Sequence, residues 1–160
     1  GDWSKNRLIP DVVRSSISRN PLSIRYPNST RPWQHVFDCN YGYLQLAMKL
    51  LSESSVKENA FNFGPSQYSN ATVKDILIKI KSFWPSIKWE LDDKTNPHEA
   101  GFLYLDSSLS NNVLNWKPVL NLENTLKMTI DWYKNYSEDI ICSKDQLSLY
   151  TKLLKDSAKN

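Results

Sequence analysis

The sequence predicts an α/β fold in which helices predominate, or an α+β arrangement if the chain folds by itself. Segments with apolar residues at helical spacing alternate along the chain with short segments typical of strands. A length of 160 residues with 40% apolar content fits one domain with a substantial core. No internal repeat or low-complexity tract interrupts this alternation.

Two helices and two strands are predicted in the first half of the chain. Apolar residues at helical spacing, with Pro10 near the start, predict a helix over about residues 7–19. The segment LSIRY alternates like a short strand. Asp38 is expected to cap a second helix, and AFNFG, residues 60–64, is typical of a strand. The apolar face predicted for the second helix consists of Tyr41, Leu44, Met48 and Leu51.

The second half predicts three or more further helices around short strands. Thr72 is expected to begin a helix, and SIKWEL after it has a strand pattern. FLYL predicts a strand that ends at Asp106, which can cap the helix SSLSNNVL. Asn121 starts another helix, and Ser143 with Gln146 matches a capping box before the last one. The Trp and Tyr residues on these helices are expected to lie in the core.

Composition places the chain in a reducing compartment, and we expect a cytoplasmic protein with no membrane partner. No window approaches the roughly 18 to 20 apolar residues of a membrane helix, and GDWSKNRLIP lacks a secretory apolar region. Cys39 and Cys142 lie far apart without a CxxC motif. Free thiols are therefore predicted.

Common catalytic and cofactor motifs are absent from the sequence. There is no GxGxxG, GxxxxGK[ST], HExxH or GxSxG, and the four glycines are too scattered to form a phosphate-binding loop. The chain by itself is therefore predicted to bind no dinucleotide. His35 and His98 are the only histidines and are distant in sequence, so no metal site is predicted either.

Arginine is concentrated at the N-terminal end, which indicates an anionic ligand. Guanidinium groups suit bidentate contacts with phosphate. The net charge is only +3, and lysines are spread among acidic residues. A nucleic-acid or polyanion-binding module is one alternative, and an interaction domain without a ligand is another. Because the charge excess is small, no nucleic-acid partner is expected. The five clustered arginines are Arg7, Arg14, Arg19, Arg25 and Arg31.

Five ordered segments resemble the C-terminal half of CDP-glucose 4,6-dehydratases, which are members of the extended short-chain dehydrogenase/reductase superfamily. The resemblance covers nearly the whole chain, from Gly1 to about Tyr150. RPWQHV together with PHEA favours the CDP-glucose branch, whereas the NxG strand end is generic to the superfamily. The segments are GDWSKNRLIPDVVR, IRYPNSTRPWQHVFDCNYGYLQLAMKL, AFNFGP, PHEAGFLYLDSSLSNNVLNWKP and LENTLKMTIDWYKNY.

The resemblance implies that residues 1–160 form a single, helix-rich, nucleotide-sugar-binding domain. The family's Rossmann half, which binds NAD, and its YxxxK and acid/base residues lie upstream of the GDW with which this chain begins. No catalytic residue, cofactor site or metal site is therefore expected in this chain, which is predicted to be inactive alone. The intact enzyme would contain the N-terminal Rossmann half, bind NAD and form a homo-oligomer.

The implied activity is that of a lyase acting on CDP-glucose. In the family, NAD oxidises C4, water is lost across C5 and C6, and the hydride returns to C6 to give CDP-4-keto-6-deoxyglucose. This half would position the nucleotide sugar for that reaction. Within the superfamily, a CDP- or UDP-sugar epimerase is the closest alternative.

The resemblance also assigns a substrate-binding role to seven residues. Arg31 would contact the diphosphate, with Pro32 and Trp33 stiffening the turn around it. Arg7 would contact phosphate, and its apolar neighbours would cover the base. The loop that often carries a second arginine in the family reads TNPHEAG here, so His98 is the candidate for that contact. The seven are Arg7, Leu8, Ile9, Arg25, Tyr26, Arg31 and His98.

A purely structural interpretation of RPWQHVFD stays open beside this one. Trp33 and Val36 would then belong to the core, and Arg31 would be a surface charge. His35 and Asp38 would cap the helix that follows. Leu8 and Ile9 would form an ordinary helix face, and the residues of LSIRY would serve only the strand.

Overall fold

The computed structural model describes residues 1–52, 60–92 and 100–158. These residues form six α-helices and four short strands, with a single 3-10 turn at Gln67–Ser69. The predicted helices of the first 52 residues and those after Thr72 are all present. The elements are α1 (Leu8–Ser18), β1 (Leu22–Ile24), β2 (Thr30–Arg31), α2 (Val36–Ser52), β3 (Ala71–Thr72), α3 (Val73–Phe83), β4 (Trp89–Leu91), α4 (Ser108–Leu114), α5 (Leu122–Ser137) and α6 (Ser143–Ser157).

The four strands form two separate pairs. β1 and β4 are parallel, with Ile24 opposite Leu91. The chain between them contains α2 and α3, which provide the long connection that parallel neighbours need. β2 and β3 are antiparallel, with Arg31 opposite Ala71. This second pair fixes the backbone of Arg31, and the whole is the helix-rich α/β architecture that the sequence predicts.

The main core lies between α1, α3, α5 and β1. Val12, Ile76, Ile80 and Ile130 are completely buried there, and Ile24 joins them from the strand. Each of these residues lies on the apolar face expected for its own helix, but Ile17 on α1 and Tyr136 on α5 are exposed, so the predicted faces are confirmed only in part. The starts of two of these helices are as expected. Thr72 closes a capping box at α3, and the Asn121 side chain accepts a hydrogen bond from the N–H of Asn124 at α5.

Asp38 does not cap α2, contrary to the sequence prediction. The helix begins at Val36, so Asp38 lies within its first turn and is 1% exposed. Its carboxylate accepts hydrogen bonds from the N–H groups of Val119 (2.8 Å) and Leu120 (3.2 Å) and from the hydroxyl of Tyr150 (2.9 Å). Asp38 therefore fastens α2 to the connector before α5 and to α6. Burial raises its pKa, since the charged form loses hydration.

The capping box predicted at Ser143 and Gln146 is also wrong. The Ser143 hydroxyl accepts a hydrogen bond from the Trp132 indole N–H at 2.9 Å, and the Gln146 amide donates to the Met128 carbonyl at 2.7 Å. Both side chains point to α5 instead of to their own helix end. Asp106 was expected to cap α4. Its carboxylate accepts a hydrogen bond from the N–H of Ser108, the first residue of that helix, at 2.8 Å.

The strands predicted at residues 60–64 and 102–105 are absent. A strand is defined by hydrogen bonds to a neighbouring strand, and residues 60–64 pair with the α4 region instead. The Ser110 hydroxyl donates to the Asn62 carbonyl, and the N–H of Gly64 donates to the Ser107 hydroxyl at 2.8 Å. Residues 102–104 are exposed. In both segments an apolar composition is present without a neighbouring strand among the described residues.

The apolar face predicted for α2 is exposed in this chain. Leu44, Met48 and Leu51 are 64%, 69% and 89% exposed, and only Tyr41 is partly buried. Tyr43 beside them is also exposed. Contiguous apolar side chains on one helix face are typical of an interaction surface. The residues predicted to share a face do lie on α2, but in the described chain no core covers that face. The cysteines are both free, as predicted.

Candidate functional site: a groove between α1, β1 and the start of α2

One groove of about 1160 Å³ collects most of the predicted substrate-binding residues. It lies between the start of α1, the end of β1, the segment from Arg31 to Phe37 and the start of α6. Six of the seven predicted residues line it, although they come from three separate segments. They are Arg7, Leu8, Ile9, Arg25, Tyr26 and Arg31. His98, the seventh, lies outside the described residues.

Arg31 is oriented by backbone contacts on both sides. Its Nη1 donates to the carbonyl oxygens of Thr30 at 2.7 Å and Ala100 at 3.0 Å. The Trp33 indole N–H donates to the Ala71 carbonyl at 2.9 Å, which ties the turn to β3. A guanidinium that is already held loses less conformational entropy when it binds an anion. The geometry thus agrees with an anion contact at Arg31, and Trp33 does stiffen the turn as expected.

The residues from Arg7 to Ile9 bring a positive charge and an apolar surface to the same part of the groove. Arg7 is exposed and extended (φ −117°, ψ 131°), and α1 begins at the next residue. Leu8 and Ile9 are partly buried against the main core. The N-terminal end of α1 carries a partial positive charge that adds to that of Arg7.

Arg25 and Tyr26 directly follow β1 and complete this wall. Arg25 is exposed, and Tyr26 is partly buried. Arg14, in contrast, is not part of the groove lining. Its guanidinium pairs with Asp11 and donates to the carbonyls of Trp3 at 2.9 Å and Ser4 at 3.0 Å. The clustered arginines therefore do not form one continuous basic surface.

Gln34 and His35 line the same groove, although the sequence interpretation gave neither a ligand role. His35 is 6% exposed, and its Nδ1 accepts a hydrogen bond from the N–H of Phe37 at 3.2 Å. The structural role expected for His35, at the start of α2, is thus present. Burial lowers the His35 pKa to about 4, so the ring is neutral near pH 7. Both residues belong to the segment RPWQHV, which carries the family resemblance, and that position was the sequence signal for a ligand role.

Glycines and metal-ligating side chains are dispersed among the described residues. Gly1, Gly42, Gly64 and Gly101 lie in four separate parts of the chain, so they do not form the glycine-rich turn that cradles a dinucleotide. No group of three metal-ligating side chains occurs in the parts of the chain that the structure covers. Among these residues, no helix has the length and apolar character needed to cross a bilayer.

Comparison with known proteins defines the class of the fold. A UDP-glucose 4-epimerase from Stenotrophomonas maltophila, solved with NAD and formylated UDP-arabinopyranose, matches 87% of this chain and 43% of its own with a TM-score of 0.72 at 15% identity. A dTDP-glucose 4,6-dehydratase from Bacillus anthracis, in complex with NAD, matches 82% of this chain and 40% of its own with a TM-score of 0.63 at 20% identity. The fold is that of part of the extended short-chain dehydrogenase/reductase epimerases and dehydratases.

A curated relative has substantial sequence similarity to the chain. CDP-glucose 4,6-dehydratase from Salmonella typhimurium is 41% identical over 154 residues, which are 94% of this chain and 43% of that protein. The chain is thus similar to CDP-glucose 4,6-dehydratase, and the resemblance indicated by its motifs is confirmed. It spans less than half the length of this relative. No protein-family model matches the sequence.

Proposed function

We propose that residues 1–160 form the nucleotide-sugar-binding part of a dehydratase that converts CDP-glucose to CDP-4-keto-6-deoxyglucose in the cytoplasm. The chain binds the substrate, and an N-terminal Rossmann half supplies NAD and the reacting side chains. By itself the chain is inactive and gives no response to NAD. The observation that carries the proposal is the single groove lined by Arg7, Arg25 and Arg31 beside Leu8 and Ile9.

The chemistry of the groove suits a nucleoside diphosphate sugar. Such a ligand has an anionic diphosphate between an aromatic base and a neutral hexose. The groove offers guanidinium groups at Arg7 and Arg31 for the phosphates. Leu8, Ile9 and Tyr26 offer apolar and aromatic surface for the base. His98, which lies outside the described residues, supplies a second phosphate contact in this proposal.

The N-terminal Rossmann half is the partner that the exposed face of α2 requires. An exposed apolar surface on α2 is unfavourable in water and is typical of an interaction site. It consists of Tyr43, Leu44, Met48 and Leu51. Residues 60–64 have the composition of a strand but lack a neighbouring one. A Rossmann sheet beside α2 would cover the first surface and pair with the second. The completed enzyme then assembles as a homo-oligomer.

A nucleotide-sugar 4-epimerase is the second candidate. It is favoured by the TM-score of 0.72 to the epimerase from Stenotrophomonas maltophila. The dehydratase is preferred because the sequence identity to the Salmonella relative is 41%. Titration of the chain with CDP-glucose and with UDP-glucose separates the two candidates. Tighter binding of UDP-glucose would favour the epimerase.

Calorimetric titration of the chain with CDP, CDP-glucose and cytidine tests the proposal. CDP is expected to bind weakly and cytidine far more weakly, because the affinity lies in contacts with the phosphates. Arg31→Lys keeps the charge but removes the planar pair of donors, so CDP binding should weaken by about 1 to 3 kcal/mol. Arg19→Lys is the matched control, since Arg19 is exposed at the end of α1 and is not part of the groove lining.

Three outcomes would contradict this assignment. Equal CDP binding by the wild type and by Arg31→Lys would remove Arg31 from the site. A wild-type chain that responds to no nucleotide would overturn the substrate class. Oligonucleotide binding that falls steeply with added salt, without any response to CDP, would favour a polyanion-binding module instead.

A further inference from the structure

Gln34 contains a buried hydrogen-bond donor that none of the described residues uses. Its side-chain Nε2 is inaccessible to solvent and has no hydrogen-bond partner among the described residues. A buried amide donor left unpaired costs about 1 to 3 kcal/mol, and such groups are rare in native proteins without a specific reason. Gln34 lies in the wall of the groove, three residues after Arg31. A rotation of this side chain toward the groove would let a ligand there pair with the donor.

His35, the next residue, contributes a donor whose position follows from its hydrogen bond to the backbone. Because Nδ1 accepts from the N–H of Phe37, the proton of the neutral ring resides on Nε2. The low pKa of His35, about 4, keeps the ring in this neutral form through the physiological range. Its Nε2–H is thus an uncharged donor on a side chain that lines the groove.

Gln34 and His35 line the same groove as Arg31, whose guanidinium is a donor only. A hydroxyl group both donates and accepts, so a site that recognises sugar hydroxyls mixes donors with acceptors. A phosphate ester at neutral pH offers only acceptor oxygens. The guanidinium, the amide N–H and the imidazole N–H are donors that match this property.

We propose that Gln34 and His35 bind the diphosphate of the nucleotide sugar, by donating from their Nε2 atoms to phosphate oxygens beside the Arg31 contact. This inference rests on the proposed function and adds two specificity-determining residues to it. Uncharged donors also hold the diphosphate without adding positive charge to the groove. Such donors therefore select for a diphosphate whose oxygens lie at the right positions, and they attract other anions less than added positive charge would.

Gln34→Leu gives two readouts that move in opposite directions. Removing a buried, unpaired donor in favour of an apolar side chain of similar size should leave the thermal stability of the free chain unchanged or raise it. CDP binding should weaken about 10-fold, because a hydrogen bond to a charged group is lost. Gln45→Leu is the control. Gln45 also has a buried unpaired side-chain atom, Oε1, but it is not part of the groove lining.

His35→Asn and His35→Gln separate the structural role from the ligand role. An asparagine oxygen can accept from the Phe37 N–H as Nδ1 does, but it cannot reach the position of Nε2. A glutamine amide can reach that position. We expect His35→Asn to keep the melting temperature close to the wild-type value and to lose about 10-fold in CDP affinity, and His35→Gln to retain more of that affinity.

Titrations of CDP and CDP-glucose into the whole chain decide between the outcomes. Equal losses for both ligands support contacts with the diphosphate. Losses confined to CDP-glucose would place the donors at the hexose and overturn the proposal. Wild-type affinity in both Gln34→Leu and His35→Asn would also overturn it while leaving the proposed function intact, provided that Arg31→Lys still weakens binding. If the wild type binds no nucleotide, the proposed function fails and this inference fails with it.

Discussion

The buried Asp38 carboxylate connects α2 to the segment before α5 and to α6 through three hydrogen bonds. Replacing Asp38 or its partner Tyr150 tests how much these hydrogen bonds stabilise the fold. Tyr150 is buried on α6 and donates its hydroxyl proton to Asp38 at 2.9 Å. Tyr150→Phe removes this hydrogen bond and leaves the carboxylate with two backbone donors. We expect a loss of about 1 to 3 kcal/mol in the free energy of unfolding, because a hydrogen bond to a charged group is removed.

Asp38→Asn should cost a similar or larger amount. One oxygen can still accept from Val119 and Tyr150, but the new amide group faces the N–H of Leu120, so a buried backbone donor loses its partner. That loss costs about 1 to 3 kcal/mol. Part of it is offset because the buried charge is gone. Asp38→Ala leaves all three donors unpaired, and we expect about 3 to 5 kcal/mol.

Urea unfolding followed by tryptophan fluorescence measures these changes. Trp116 is 1% exposed and its indole N–H donates to the Asp38 carbonyl at 3.3 Å, so it reports on this region. Tyr136→Phe is the control, since Tyr136 is exposed on α5 and its hydroxyl deletion should change stability by less than about 0.5 kcal/mol. Additive losses in an Asp38→Ala, Tyr150→Phe double mutant, in which the hydroxyl has already lost its acceptor, or a Tyr150→Phe loss no larger than the control, would refute the reasoning.

Three further predictions concern other parts of the chain. His35 has a folded pKa of about 4 against 6.5 unfolded, so below pH 6.5 the unfolded state takes up a proton that the folded state does not. Stability should fall by on the order of 3 kcal/mol between pH 6.5 and 4, and pH-dependent denaturation of His35→Asn should lack this slope. Thr72→Ala removes the α3 capping box and should cost about 1 kcal/mol in urea unfolding, whereas Ser82→Ala near the end of α3 should cost little. The exposed face of α2 should promote self-association, so Met48→Glu with Leu51→Glu should reduce the mass found by light scattering at high concentration; a strictly monomeric wild type would contradict this.

Much of the architecture could be predicted because local sequence controls it. Val12, Ile76 and Ile130 each lie on the apolar face of their own helix, and the spacing of apolar residues along each helix predicts that face. Thr72 and Asn121 satisfy N–H groups only a few residues away, so their capping roles follow from the sequence around them.

The errors concern residues whose partners are distant in sequence. Asp38 resembles a helix cap, but its partners lie some 80 to 110 residues away on two other elements. Ser143 and Gln146 have capping-box spacing and bind α5 instead. For residues 60–64, composition indicates a strand, but a strand also requires a neighbour, which a local pattern does not reveal.

The same distinction holds for the candidate site. The sequence by itself determined the family resemblance and the choice of arginines, because guanidinium chemistry and motif order are properties of the residues. Only the tertiary structure decided that Arg7, Arg25 and Arg31 share one groove while Arg14 is held by Asp11 outside it. It also decided that Gln34 has a buried donor with no partner among the residues that the structure describes. Burial and hydrogen-bond pairing depend on which surfaces meet, and that is set by the packing of elements far apart in the chain.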